Sequence, residues 1–344
     1  MKFFRHIFAL LLLCVAIPAQ AGHEQAAGGE RPDIKEFLLE HLQDSYEWHL
    51  LTWRGHPVAV SLPVIIVGRG GVELFSSSHL TEGEEYRGYR IAADGDHKGK
   101  IVRAHDGSRP FDISITRNVL ALMINAALMM WLFFALRRWY RRREMQPPKG
   151  ILGATEVVVK MIEEDVIVKC VGHDYRRFSP YLLTVFFFIL INNLMGLIPI
   201  FPGGANTTGN IAVTFTLATC TFLMINLFGS RHYWREIFWP DVPLLLKAPA
   251  PIIPVIEFVG VFTKPFALMI RLFANIMGGH AIAISMVMLI FVVHTTMNIV
   301  GSSSMTALFV IMGIFMSFIE ILVAFIQAYV FTMLSAVFIG LSRE

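Results

Sequence analysis

Seven side chains capable of proton chemistry, fixed charge or hydrogen bonding interrupt two long apolar runs. Glu257, Lys264 and Arg271 are spaced seven apart, Asn275 follows four residues on and His280 closes the stretch; Glu320 and Gln327, again seven apart, interrupt the run nearest the C-terminus. The set divides by chemistry. Glu320 and His280 can take up and release protons, whereas a guanidinium keeps its charge under any relevant condition. Together they suit a proton path beside a fixed positive charge, which would attract a mobile carboxylate and block leakage past it. Arg271 is the residue that most needs explaining. It stands between Ala267-Leu268-Met269-Ile270 and Leu272-Phe273-Ala274, where burying its charge in lipid costs roughly several kcal/mol or more.

Helices must position these groups. Steps of seven and four keep Glu257, Lys264, Arg271 and Asn275 near one stripe of a helix, and Glu320 and Gln327 on one stripe of another, with Ser317 three residues before Glu320. Two apolar helices with one polar stripe each would pair those stripes or turn them toward a partner. Structural readings stand beside the functional ones. Lys264, just before Pro265, could snorkel to an interface; Glu257 could complement a helix start; His280 could be a core histidine; Asn275 and Gln327 could be interhelical glue. For Arg271 and Glu320 the structural reading is a buried ion pair.

The 344 residues are 55% hydrophobic and 16% charged, with 28 Phe and 17 Met. That is too apolar for a soluble globular protein, and predicts a polytopic membrane protein. The net charge of +3 gives no nucleic-acid footprint. Cys14, Cys170 and Cys220 show no metal-ligand or cluster spacing, so no metal or cofactor is expected.

Residues 1–21 read as a signal peptide, with basic Lys2 and Arg5, a short apolar core and Ala19-Gln20-Ala21 as cleavage site; an uncleaved anchor is the alternative. Residues 22–112 are charged and carry alternating stretches at 58–62 and 64–67. They predict an extracytoplasmic segment, part helix over about 34–51 and part β-hairpin. Its seven histidines lack compact ligand spacing and read as surface residues.

Residues 113–344 form the membrane domain, with crossings expected at about 118–136, 180–201, 211–229, 251–293 and 305–341. The cluster Arg137 to Arg143 and the run Arg231 to Glu236 mark cytoplasmic ends. Residues 155–171 read as an amphipathic helix on the cytoplasmic face. The last two apolar blocks are too long to stand upright: roughly 40 helical residues reach about 60 Å, against a core of about 30 Å. Each is either broken into two upright spans or lies tilted as one arm of a hairpin, and the absence of charged loops favours tilt. The fold class is therefore all-α and polytopic, with about five crossings, a surface helix and a small N-terminal segment.

The run Arg271-Leu272-Phe273-Ala274-Asn275-Ile276-Met277-Gly278-Gly279-His280 resembles the signature of the subunit a family of rotary F-type ATP synthases, R-L-F-x-N followed by a small-residue pair. Glu257 and Lys264-Pro265 upstream, Gln327 to Phe331 in the last block and Asn193 to Pro199 earlier agree in order and spacing. The resemblance covers about residues 112–344. It implies that Arg271 faces a ring of c subunits and keeps each passing ring carboxylate ionised, with Gln327 and Asn275 as its partners. It also implies that His280 and Glu320 are the imidazole and carboxylate of one half-channel, open to the outside, and that Glu257 lies toward the other. The implied partners are the c-ring, b-type peripheral stalk subunits and the catalytic F1 sector, in a bacterial inner membrane, with a periplasmic N-terminal segment and a cytoplasmic C-terminus. Such a chain would not be an enzyme by itself. The long N-terminal segment departs from the common short one. Two other classes stay open: a self-contained proton-coupled transporter or channel, disfavoured by the absence of an internal repeat, and a membrane anchor or assembly factor.

Overall fold

The structure, a computed structural model, describes residues 44–53, 56–68, 71–83, 85–92, 99–142, 146–198, 204–205, 207–238, 252–296 and 299–343. The signal peptide and the first part of the helix predicted at 34–51 lie outside them. The chain forms two compact units, one of residues 1–124, 195–207 and 281–318, the other of residues 125–194, 208–280 and 319–344.

The first unit contains a small β-domain. Strands β1 (Glu47–Trp53) and β2 (His56–Ser61) form an antiparallel ribbon with an irregularity between His49 and Leu51. Strand β3 (Pro63–Gly68) is central in a three-stranded sheet, flanked by β4 (Gly71–Ser76) and by β7 (Phe111–Asp112). Strands β5 (Tyr89–Ile91) and β6 (Ile101–Arg103) pair separately. Residues predicted as the end of a helix, 47–51, are strand instead. Antiparallel pairing with residues 58–61 decides their conformation and overrides the helical periodicity. Val64, Ile66, Phe75, Leu80, Tyr89 and Ile101 make the core of the domain, with Tyr46 beside them. The Tyr46 hydroxyl donates to Asp112, and burial together with that carboxylate holds the phenol well above its ordinary range.

Among the described residues, five helices are long and apolar enough to cross a membrane. Helix α1 (Arg117–Arg142) ends on Arg141 and Arg142, basic residues that suit both a helix C-terminus and a headgroup boundary. Helix α2 (Ile151–Ile162), a π-helical turn (Glu163–Ile167), α3 (Val168–Val171), a 3-10 turn (Gly172–Asp174) and α4 (Tyr175–Leu197) follow in close succession. Helix α5 (Ile211–Phe228) is capped by Asn210, whose side chain accepts from Ala212 N at 3.0 Å. A short α6 (Arg231–Phe238) precedes the two longest helices, α7 (Ile252–Thr296) and α8 (Ile299–Arg343).

Each of α7 and α8 is a single helix of 45 residues, and the broken-span alternative therefore fails. At 1.5 Å per residue each reaches about 68 Å, more than twice the hydrocarbon thickness. The core of the second unit joins α4, α7 and α8 through Phe178, Leu182, Phe186, Ile189, Leu268, Leu272, Ala328 and Ile339. The segment predicted as a surface helix is amphipathic, and its apolar side (Ile162, Val166, Ile167, Val171) is buried in this same core. The approach is close: a β-carbon at Gly340 of α8 would stand 2.0 Å from the Cys170 carbonyl oxygen. Arg343 ties the end of α8 down, pairing with Asp174 and donating to the Phe228 carbonyl at 3.1 Å.

Candidate functional site

Helix α7 buries one stripe and shows another. Val261, Pro265, Leu268, Leu272 and Ile276 are buried, at steps of three and four that define the face turned to the bundle, with buried Met269 beside them. Glu257, Arg271 and Asn275 are exposed on the remaining surface. Lys264 is half-buried, with its ammonium 5.7 Å from the centre of the Phe338 ring of α8, a cation–π contact that accounts for a lysine in this apolar setting.

Arg271 therefore looks outward. Among the described residues no hydrogen bond or ion pair holds its guanidinium, so the Arg271–Glu320 ion pair considered from sequence does not form. Its exposed neighbours about one turn away on α7 are the small Ala267 and Ala274 together with Asn275. A permanent cation exposed on a helix apolar enough to cross a membrane, unpartnered among the described residues, needs an anion from outside the chain.

The facing helix carries its polar groups inward. Gln327 is buried, with 7% exposure, and Glu320 is partly buried, its Oε1 enclosed without a hydrogen-bond partner among the described residues. A β-carbon at Gly279 would stand 3.2 Å from that Oε1, which places the Glu320 carboxyl against the helix turn that carries His280. Lys264 against Phe338 and Gly279 against Glu320 fix an antiparallel register for α7 and α8. Arg271 precedes Gly279 by eight residues and Gln327 follows Glu320 by seven, so Arg271 and Gln327 lie at the same level of the pair, one facing out and one in. Asn275 lies a turn beyond Arg271 on the exposed surface, between that level and the level of His280 and Glu320.

Three amides outside the predicted set support this arrangement. Asn193 of α4 donates to the Ala324 carbonyl at 3.3 Å, between Glu320 and Gln327 on α8. Asn125 of α1 donates to Asn192 at 3.0 Å, and Asn192 donates to the Phe188 carbonyl at 2.8 Å. Buried amide pairs of this kind lock apolar helices in register. Adjacent asparagines in an apolar helix were the signal available for them in the sequence.

Comparison with known proteins bears on this same membrane region. The family described as "ATP synthase A chain" matches residues 119–340, a range that takes in every helix carrying the polar groups above. The chain belongs to the ATP synthase A chain family. It is 43% identical over 238 residues to the ATP synthase subunit a of Chloroherpeton thalassium, covering 67% of this chain and 67% of that relative. A Chlorobium phaeobacteroides subunit a is 41% identical over 250 residues, covering 71% and 69%. The ATP synthase subunit a of an Anaeromyxobacter species is 32% identical over 335 residues, 94% of this chain and 74% of the relative. A second family, described as "Domain of unknown function (DUF8433)", matches residues 37–120, the stretch that contains the β-domain.

Proposed function

We propose that this chain is the ion-translocating stator subunit of a rotary ATP synthase membrane sector, multi-pass in a bacterial inner membrane, and that Arg271 is the fixed charge presented to a rotating ring of c subunits. The observation that carries this reading is Arg271 exposed on an otherwise apolar helix, with no ion-pair or hydrogen-bond partner among the described residues. A lipid-facing arginine there would be costly, whereas a succession of ring carboxylates offsets that cost each time one arrives. The guanidinium keeps its proton and so holds each passing carboxylate ionised while blocking direct proton leakage. Gln327, at the same level but turned inward, bounds the site on the bundle side.

Two half-channels meet at this charge. His280, Asn275 and the Glu320 carboxyl packed on Gly279 line the one open to the outside, and Glu257 with Lys264 marks the one open to the cytoplasm. The basic residues at the end of α1 and in α6 support an orientation with the N-terminal domain in the periplasm and the C-terminus in the cytoplasm. Tilt completes the mechanism: helices of 45 residues lying oblique to the membrane normal can follow the curve of a ring and keep Arg271 opposite successive sites. Peripheral stalk subunits and the catalytic sector are the remaining partners, and protons are the expected ion because Glu320 and His280 both exchange them.

ATP-driven proton pumping in inverted membrane vesicles tests the reading. Arg271→Ala should abolish pumping while the ring and catalytic sector still co-purify with the chain. Pumping at the wild-type rate would overturn it, as would proton transport by the purified chain alone in liposomes.

A further inference from the structure

The three-stranded sheet of the β-domain has one face too many that is apolar. Val64 and Ile66 of β3 and Phe75 of β4 point into the domain core. By the two-residue alternation of a strand, the intervening residues point the other way. They form two rows across the sheet. Val72 pairs with Val67, which pairs with Phe111; Leu74 pairs with Ile65, whose carbonyl accepts from Ile113 N at 2.9 Å. Val72, Leu74, Phe111 and Ile113 are 68%, 63%, 70% and 54% exposed. Glu73 and Asp112 alternate onto the opposite side, so no carboxylate stands in these rows. A contiguous apolar face of this size on a soluble surface marks an interaction site.

The way this domain is joined to α1 says what it meets. The connection from β7 is four residues long and has no slack. Ile113 N and Ile115 N donate to the carbonyls of Ile65 and Pro63, Ile65 N donates to Ser114 Oγ at 3.0 Å, and Arg117 N donates to the Ser45 carbonyl at 2.9 Å. The Asp44 carboxylate accepts from Asn118 N at 3.1 Å, capping the helix. Trp48 of β1 is buried with Ala121 and Ala205, so the domain reaches more than a turn down α1. Beyond the connection the exposed apolar side chains resume on α1 at Val119 and Met123, inside a helix apolar enough to cross a membrane.

We propose that the six-residue face of Ile65, Val67, Val72, Leu74, Phe111 and Ile113 lies on the lipid of the leaflet that α1 enters, seating the β-domain at the boundary between headgroups and acyl chains. Aliphatic side chains and one aromatic ring, free of acidic groups and rigidly attached at a membrane entry point, have the composition of an interfacial anchor. The inference concerns the N-terminal domain alone and holds whatever the role of Arg271.

Depth-dependent quenching tests it in the full chain. With Cys14, Cys170 and Cys220 replaced by serine, single cysteines at Val72, Leu74 and Glu85 would carry a bimane label in vesicles of phosphatidylcholine and phosphatidylglycerol. Glu85 is the control because its neighbour Tyr86 packs on Phe75, on the opposite side of the sheet. All three sites are exposed, so the substitutions should fold. Nitroxide placed high on the acyl chains should quench the labels at 72 and 74 about threefold or more beyond that at 85, with aqueous iodide showing the reverse order. Iodide reaching all three labels equally would overturn the proposal. Exclusion of both quenchers from 72 and 74 would overturn it too, because protein rather than lipid would then cover the face.

Discussion

The Glu320 carboxyl occupies the space that a side chain on Gly279 would fill: a β-carbon there would stand 3.2 Å from Oε1 and 3.7 Å from Cγ. The two helices approach at that level because one of them carries nothing. Gly279→Ala should therefore displace the carboxyl and lower ATP-driven proton pumping by about tenfold, a loss of about 1.4 kcal/mol in the limiting step. Gly279→Leu should abolish it. Gly278→Ala, with nothing within 4 Å of its β-carbon, should pump at close to the wild-type rate, and equal losses at the two glycines would refute the displacement account.

Gly340 faces the backbone of α3 rather than a side chain, with the Cys170 carbonyl 2.0 Å from where a β-carbon would be. A backbone neighbour cannot swing aside. Gly340→Val should cost about 1–3 kcal/mol through overpacking and lower the thermal unfolding midpoint in detergent. A midpoint unchanged from wild type would show that the helices separate at little cost.

Arg271→Lys retains charge but not the planar fork, and a desolvated ammonium can lose its proton. Coupled pumping in that variant should fall by about tenfold or more, whereas proton leak through the membrane sector should rise. Wild-type coupling would contradict a role that depends on the guanidinium.

Glu320 and His280 supply one acid and one imidazole to the same level of the helix pair. On the proposed path, the double variant Glu320→His with His280→Glu should pump better than either single alanine variant, since it would keep one acid and one imidazole there. A double variant no better than the alanine variants would mean that each side chain is tied to its own position.

Much of this arrangement was legible in the sequence, and the parts that were not share a cause. Seven-residue steps from Glu257 to Arg271 and from Glu320 to Gln327 gave the stripes, because helical periodicity is local. The length of the last two apolar blocks gave the long helices. Which way each stripe points was not legible: Arg271 faces out and Gln327 in, a matter of how α4, α7 and α8 pack on one another. Gly279 opposite Glu320, Gly340 against Cys170 and Asn193 on Ala324 are contacts between distant segments, invisible to any local pattern. The strand at 47–53 was missed for the same reason, since its partner at 56–61 decides its conformation.

The central claim is that Arg271 faces a ring carboxylate. Disulfide crosslinking in the assembled complex tests it most directly, with Ile270→Cys or Ala274→Cys beside the arginine and cysteines placed in turn along the carboxylate-bearing helix of the ring subunit. The account predicts crosslinks confined to ring positions within one turn of the carboxylate. No crosslink at any ring position, together with free reaction of both cysteines with a lipid-soluble maleimide in the assembled complex, would contradict it.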